Sequence, residues 1–218
     1  MPSAAVLESL SRARAIANYA ERQGVSLSAI SRRPSTSHMG AALADAILQS
    51  GLNYHAVVRP RVDRILTVYP EAAIVSGLRN ILKGRGASEF LNWRHSTKIT
   101  RFVCLVALLE ADGVECVVDL RSWLGRRCAR DQLLELHGIG PKTYDYICCL
   151  VGMDHIAVDR HVKTFANEAG VLISAYDELQ VAVSFAADLL GLARRDFDAW
   201  IWHRFSRPMT SPAQYELF

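Results

Sequence analysis

Cysteine is scarce and follows no pairing pattern. Cys104, Cys116, Cys128, Cys148 and Cys149 make an odd number with no C-x-x-C spacing, so neither a disulfide framework nor a cysteine-ligated zinc site is expected. Most of the five read as small apolar core residues. Long hydrophobic runs are also missing. The longest, Phe102 to Leu109, falls well short of the roughly 20 residues that cross a bilayer. Glu8, Arg12 and Arg14 interrupt the N-terminal segment, which excludes a signal-peptide apolar core and leaves a cytoplasmic location as the expectation. Lysine is rare: of 25 Lys and Arg residues only Lys83, Lys98, Lys142 and Lys163 are lysines. No alternating strand pattern of useful length occurs, and there is no internal repeat or low-complexity segment.

What remains is helical period almost everywhere. With 50% hydrophobic and 22% charged residues, the chain is long and apolar enough to bury a core. The formal net charge of +3 permits a nucleic-acid partner without demanding one. Residues 4–23 place Val6, Leu7, Leu10, Ala13 and Ala17 on one stripe. Ser28 to Ser37 reads as a polar linker. Residues 40–50 form an apolar helix ended by Gly51, and Pro60 starts or kinks the next. A helix over 71–82 precedes Lys83-Gly84-Arg85-Gly86, which reads as a flexible basic loop. Ser96 is a good N-cap for a helix to Ala111, Asp119 opens a short one, and Asp131 can cap a helix over 132–137. Pro141 opens a helix over 141–151, Asp159 caps one reaching Glu168, and Asp177 and Asp196 open the last two. The fold class is therefore all-α with short connections.

The most specific stretch is Leu136-His137-Gly138-Ile139-Gly140-Pro141-Lys142-Thr143, followed by Val158-Asp159-Arg160-His161-Val162. It reads as two helices joined by a glycine turn that runs into a helix N-terminus, where free N–H groups and the helix dipole favour an anion such as a DNA phosphate. Lys142 lies in the first turn of that helix. Asp159 is either an N-cap alone, worth about 1 kcal/mol, or also a carboxylate held for chemistry. Pairing with Lys163 one turn on is a further reading of it.

These residues resemble the helix-hairpin-helix (HhH-GPD) DNA glycosylase superfamily, whose members carry a Gly/Pro-rich loop and then an aspartate. The match runs through Leu133, Leu136, Gly138, Ile139, Gly140, Lys142 and Thr143, then Ala157, Val158, Asp159, His161 and Val162. It is strongest over about residues 130–170 and extends weakly to Ala46–Ser50. The resemblance implies a two-lobed helical fold with a DNA-binding cleft between the lobes. The lobes would be residues 36–152, ending in the hairpin, and residues 1–35 with 153–218, carrying the aspartate. It implies a base-excision repair glycosylase with abasic-site lyase activity that removes a damaged, oxidised base. Lys142 is then the Schiff-base nucleophile, Asp159 the catalytic carboxylate, and Gly138, Ile139, Gly140 and Thr143 bind the DNA phosphate. The partner would be double-stranded DNA containing a damaged base or an abasic site. No membrane is involved, and the chain would be a monomer, nucleoid-associated if bacterial. No cysteine follows Cys149, so the iron–sulfur cluster of many members is not expected. No metal is expected in the chemistry, though a monovalent cation at the hairpin fits the family.

Two departures bear on the substrate: Tyr144 stands where a small alanine is usual, and Arg160 where threonine is common. The Asp-Arg-His spelling is similar to that of some small archaeal-type 8-oxoguanine lyases, but this chain ends in Phe218 rather than their C-terminal lysine. A base flipped from the duplex needs a pocket and a wedge. The candidates are Gln49, Asn53, Tyr54, Trp93 and Tyr144, with core packing the alternative for each aromatic. Arg121, Arg126, Arg127 and Arg130 lie just before the hairpin, as phosphate contacts or as a solvated face. Two other functions stay open: a monofunctional glycosylase whose lysine only supports the fold, and a non-catalytic module using the hairpin as a phosphate clamp.

Overall fold

The computed structural model describes residues 4–25 and 35–206. Of the expected linker, residues 28–34 lie outside the described residues, as does Phe218. Among the described residues every regular element is helical and no strand occurs. The α-helices are α1 (Ala4–Arg22), α2 (Met39–Leu48), α3 (Arg59–Val68), α4 (Val75–Arg85), α5 (Ala87–Leu91), α6 (Ser96–Ala111), α7 (Val117–Leu124), α8 (Ala129–Glu135), α9 (Pro141–Leu150), α10 (Arg160–Glu168), α11 (Tyr176–Leu189) and α12 (Arg194–Ser206). A π-helical turn spans Tyr54–Val58 and a 3₁₀ turn spans Pro70–Ala73. No helix among the described residues is long and apolar enough to cross a membrane. Contacts divide the chain into two units, Pro34–Ala157, and Met1–Arg33 with Val158–Phe218.

The first unit is built around α2. All ten of its residues are buried, which their composition (MGAALADAIL) permits, since only Asp45 carries a charge. His38 starts the helix. Its Nδ1 accepts the Ala41 N–H at 3.1 Å, while Nε2 lies 3.0 Å from the Tyr69 carbonyl. This pattern needs a neutral ring with its proton on Nε2, an imidazole doing the work usually done by a serine or aspartate oxygen. Tyr69, Phe90 and Phe102 form a continuous aromatic column, with ring centroids 5.1 and 5.5 Å apart. Trp123 is fully buried, and its indole N–H reaches the Asp112 carboxylate at 2.6 Å.

Several local expectations are corrected. Lys83-Gly84-Arg85 is not a loop. α4 continues through it and stops at Gly86, whose φ of 81° breaks the helix in the left-handed region; Arg85 then pairs with Glu89 at 3.1 Å. The expectation at Pro60 holds, since α3 begins at Arg59 with Pro60 in its first turn, directly after the π-helical turn. His95, not Ser96, precedes the first turn of α6. Cys116 is the N-cap of α7, and Asp119 reaches back from the third helical position to the Cys116 N–H at 2.9 Å, a reciprocal cap that holds its carboxyl below the usual range. Asp131 lies inside α8, not at its cap. Only Cys148 and Cys149 are buried; Cys104 and Cys128 are exposed.

The second unit packs α1 on α11 and α10 on α12. Ala13, Ile16, Ala17 and Ala20 form the buried stripe of α1, with the period expected. Val6, Leu7 and Leu10 stay exposed, so only the second half of the expected stripe is covered. Phe165 is fully buried between Tyr19, Phe197 and Trp200, each meeting it edge-on at 5.0–6.0 Å.

Gly77 in α4 is the tightest backbone approach. A Cβ there would overlap the Glu71 carbonyl oxygen, a backbone atom that cannot turn aside. Gly77→Ala is expected to lower the unfolding free energy by about 1–3 kcal/mol, measured as a shift in the urea midpoint.

Candidate active site

The hairpin is formed by α8, the turn Leu136–Gly140 and α9, all within Pro34–Ala157. The turn closes on itself: Ile139 N–H donates to the Leu136 carbonyl at 2.9 Å and Thr143 N–H to the Gly140 carbonyl at 2.9 Å. Ile139 is 4% exposed, a core residue. The backbone N–H groups of Ile139 and Thr143 are thus spent inside the turn. The Gly140 N–H meets no acceptor among the described residues.

The two glycines differ. Gly138 has φ 81° and needs glycine for conformation. Gly140 has φ −111° and ψ 178°, ordinary extended backbone. A Cβ on Gly140 would meet nothing within 4 Å, so the space above it is open. The space above Gly138 is filled by the Arg101 guanidinium, whose Nε donates to the His137 carbonyl at 3.1 Å.

Lys142 is the second residue of α9 and half-buried. Its Nζ donates to Gln49 Oε1 at 2.8 Å. An ammonium only donates, so the carboxamide oxygen must face it and the NH₂ points away. That NH₂ is buried and meets no acceptor among the described residues. Gln49 itself caps the C-terminus of α2. One turn along both helices, Asp45 of α2 accepts the Tyr146 hydroxyl of α9 at 3.0 Å and the Tyr54 hydroxyl at 3.2 Å. The structure therefore brings Lys142 and Gln49 into contact and ties Tyr54 to the adjoining rung through Asp45.

The other pocket candidates separate from this group. Asn53 is exposed and caps the π-helical turn, its Oδ1 accepting the Ala56 N–H at 2.9 Å. Trp93 packs against the core of its unit, with Arg61 lying 5.2 Å above its ring and its indole N–H buried with no acceptor among the described residues. Tyr144 is corrected from pocket candidate to core. It is 8% exposed and donates to the Leu124 carbonyl at 3.1 Å, and burial pushes its hydroxyl pKa well up. Neighbouring Cys148 is pushed up to about 12, mainly by burial, and stays an inert thiol. Asp145, on the turn after Lys142, is buried and lies 2.9 Å from His155 Nδ1. Arg121, Arg126 and Arg127 are exposed and pair with no carboxylate among the described residues.

Asp159 belongs to the second unit, where it caps α10. Its Oδ1 accepts the His161 N–H at 2.8 Å and the Val162 N–H at 3.0 Å. Both bonds fall on one oxygen, leaving Oδ2 for another partner. The preceding residue is held by Val158 N–H donating to the Tyr176 hydroxyl at 3.2 Å.

Three residues around the hairpin escaped the sequence reading: Asp45, Lys98 and Arg101. Lys98 Nζ donates to the carbonyls of Ile47, Leu48 and Ser50 at 2.9, 3.2 and 2.8 Å. Burial, with the charges of Arg101 and Lys142, lowers its pKa. Comparison of the chain with protein-family models, with curated proteins and with solved structures finds no match.

The contrast between the glycines is testable. Gly138→Ala is expected to cost about 1–2 kcal/mol of left-handed strain, which lowers the melting midpoint by a few degrees. Gly140→Ala should leave it unchanged within a degree or so. Equal shifts in thermal melts of the two variants would contradict the turn geometry.

Proposed function

We propose that the protein is a DNA glycosylase with abasic-site lyase activity of the helix-hairpin-helix type, with the two-lobed fold and DNA cleft that this entails. The observation that carries the reading is the Lys142 amine: it sits in the first turn of a helix behind a glycine turn and is held by a side-chain carbonyl at 2.8 Å. An amine attacks only when neutral, and the positive end of a helix with partial burial favours the neutral form. The open face of Gly140 and its unspent N–H suit a backbone phosphate, and Arg101 adds charge at the same turn.

In this mechanism the Lys142 nitrogen bonds to C1′ of the target nucleotide as the C1′–N glycosidic bond breaks. The bonding pair leaves with the base, which takes up a proton. The sugar ring opens to a Schiff base. Loss of a C2′ proton then expels the 3′ phosphate by β-elimination, and water releases the lysine. Asp159 stabilises the cationic sugar and accepts the proton that Lys142 sheds. Its capping bonds fix the carboxylate by one oxygen and leave the other for this work. The Gln49 carboxamide orients the amine through its oxygen. Strand-cutting chemistry of this kind serves oxidised bases, which we take as the substrate class.

Borohydride reduction on a duplex with one abasic site should trap the wild-type protein covalently. Lys142→Gln should abolish trapping. Asp159→Asn should slow it by about 100-fold or more while leaving stability nearly unchanged, since asparagine caps as well as aspartate. Base release without trapping or strand cleavage would favour a monofunctional enzyme. Duplex binding without either would favour a phosphate clamp.

A further inference from the structure

The C-terminal end of α2 lies between two ammonium groups. Lys142 takes the side-chain carbonyl of Gln49 from α9. Lys98, from α6, takes the backbone carbonyls on either side of that residue, those of Ile47, Leu48 and Ser50. All three protons of the Lys98 ammonium are thereby directed at oxygens, which holds the group in place. Helix C-termini leave carbonyls without partners, and in a helix as fully buried as α2 those carbonyls are costly to abandon.

We propose that Lys98 is a positioning residue for Lys142: locked on the last carbonyls of α2, it fixes the Gln49 carboxamide that holds the Lys142 amine, and its charge opposes protonation of that amine. The proposal rests on the reading of Lys142 as a nucleophile. A second fixed cation beside a reactive lysine is a known physical route to a less basic amine. Other charged groups on the surrounding elements act as a constant background. Asp45 on α2 is engaged by two tyrosine hydroxyls, Asp145 on α9 by His155, and Arg101 on α6 by the turn. Arg130, Asp131 and Glu135 lie on α8. Among the cations around Lys142, Lys98 is the one that also builds its hydrogen-bond acceptor's platform.

The test is competitive acetylation of the free protein by trace acetic anhydride from neutral to alkaline pH, read by mass spectrometry at Lys142 and at the exposed Lys83 and Lys163. In the wild type, Lys142 should reach half-labelling at lower pH than Lys83 and Lys163. Lys98→Met should raise the Lys142 midpoint by about half a unit or more. Lys98→Arg, which keeps the charge and the carbonyl bonds, should leave it in place. Three results would each overturn the proposal: a wild-type Lys142 that titrates with Lys83 and Lys163, an unmoved midpoint in Lys98→Met, or a shift in Lys98→Arg as large as that in Lys98→Met. If Lys98→Met does not fold, Lys98→Gln, which removes the charge but keeps donors for the carbonyls, takes its place with the same expected shift and the same overturning result. Labelling needs no DNA, so absence of borohydride trapping would sink the glycosylase reading while leaving this result standing on its own.

Discussion

Burying every residue of α2 forces a choice at its C-terminus. The helix leaves its last carbonyls without partners of its own, those of Ile47 and Leu48 part-buried. The chain answers with Lys98, an ammonium whose three donors match three carbonyls. That clamp fixes where Gln49 stands, and Gln49 in turn fixes the Lys142 amine. The rung below repeats the device with other chemistry: Asp45, a carboxylate inside an otherwise apolar helix, is satisfied by Tyr54 and Tyr146. Satisfying the polar groups of one buried helix thus sets out the side chains from which the proposed chemistry is built.

The hairpin makes a complementary use of backbone. Its N–H groups at Ile139 and Thr143 are consumed in shaping the turn, and Gly138 is covered by Arg101. What stays available is the N–H and open face of Gly140 with the first turn of α9. The likeness of the two glycines in the sequence conceals this division. One is there for its backbone angle, and the other for the room above it.

Much of the fold was legible because helix periods and stop signals are local. Pro141 and Asp159 mark their helices where expected, and Asp159 makes the capping bonds that its spacing implies. Local reading failed where a neighbour distant in sequence decides. Lys83 to Arg85 looks like a loop from its glycines, yet it stays helical until the left-handed Gly86. Val6, Leu7 and Leu10 carry the right period, but their part of α1 is left uncovered. At the candidate site, Lys142 and Asp159 stand out in the sequence through motif and spacing. Lys98 lies 44 positions before Lys142 with no motif around it, and Arg101 touches the turn from 36 residues away in sequence. Such partners are set by how α6 packs, which no window of sequence records. Tyr144 stands between two readings, pocket and core, and its hydroxyl belongs to the Leu124 carbonyl in the core.

The central claim is that the amine at position 142 is the one that bonds to DNA. The most direct measurement is to reduce the complex of the wild-type protein with an abasic-site duplex using borohydride, digest both components, and locate the deoxyribose remnant by tandem mass spectrometry. The account predicts the remnant on the peptide that contains Lys142 and on no other lysine. A remnant on Lys98, Lys83 or Lys163, or none at all, would contradict it.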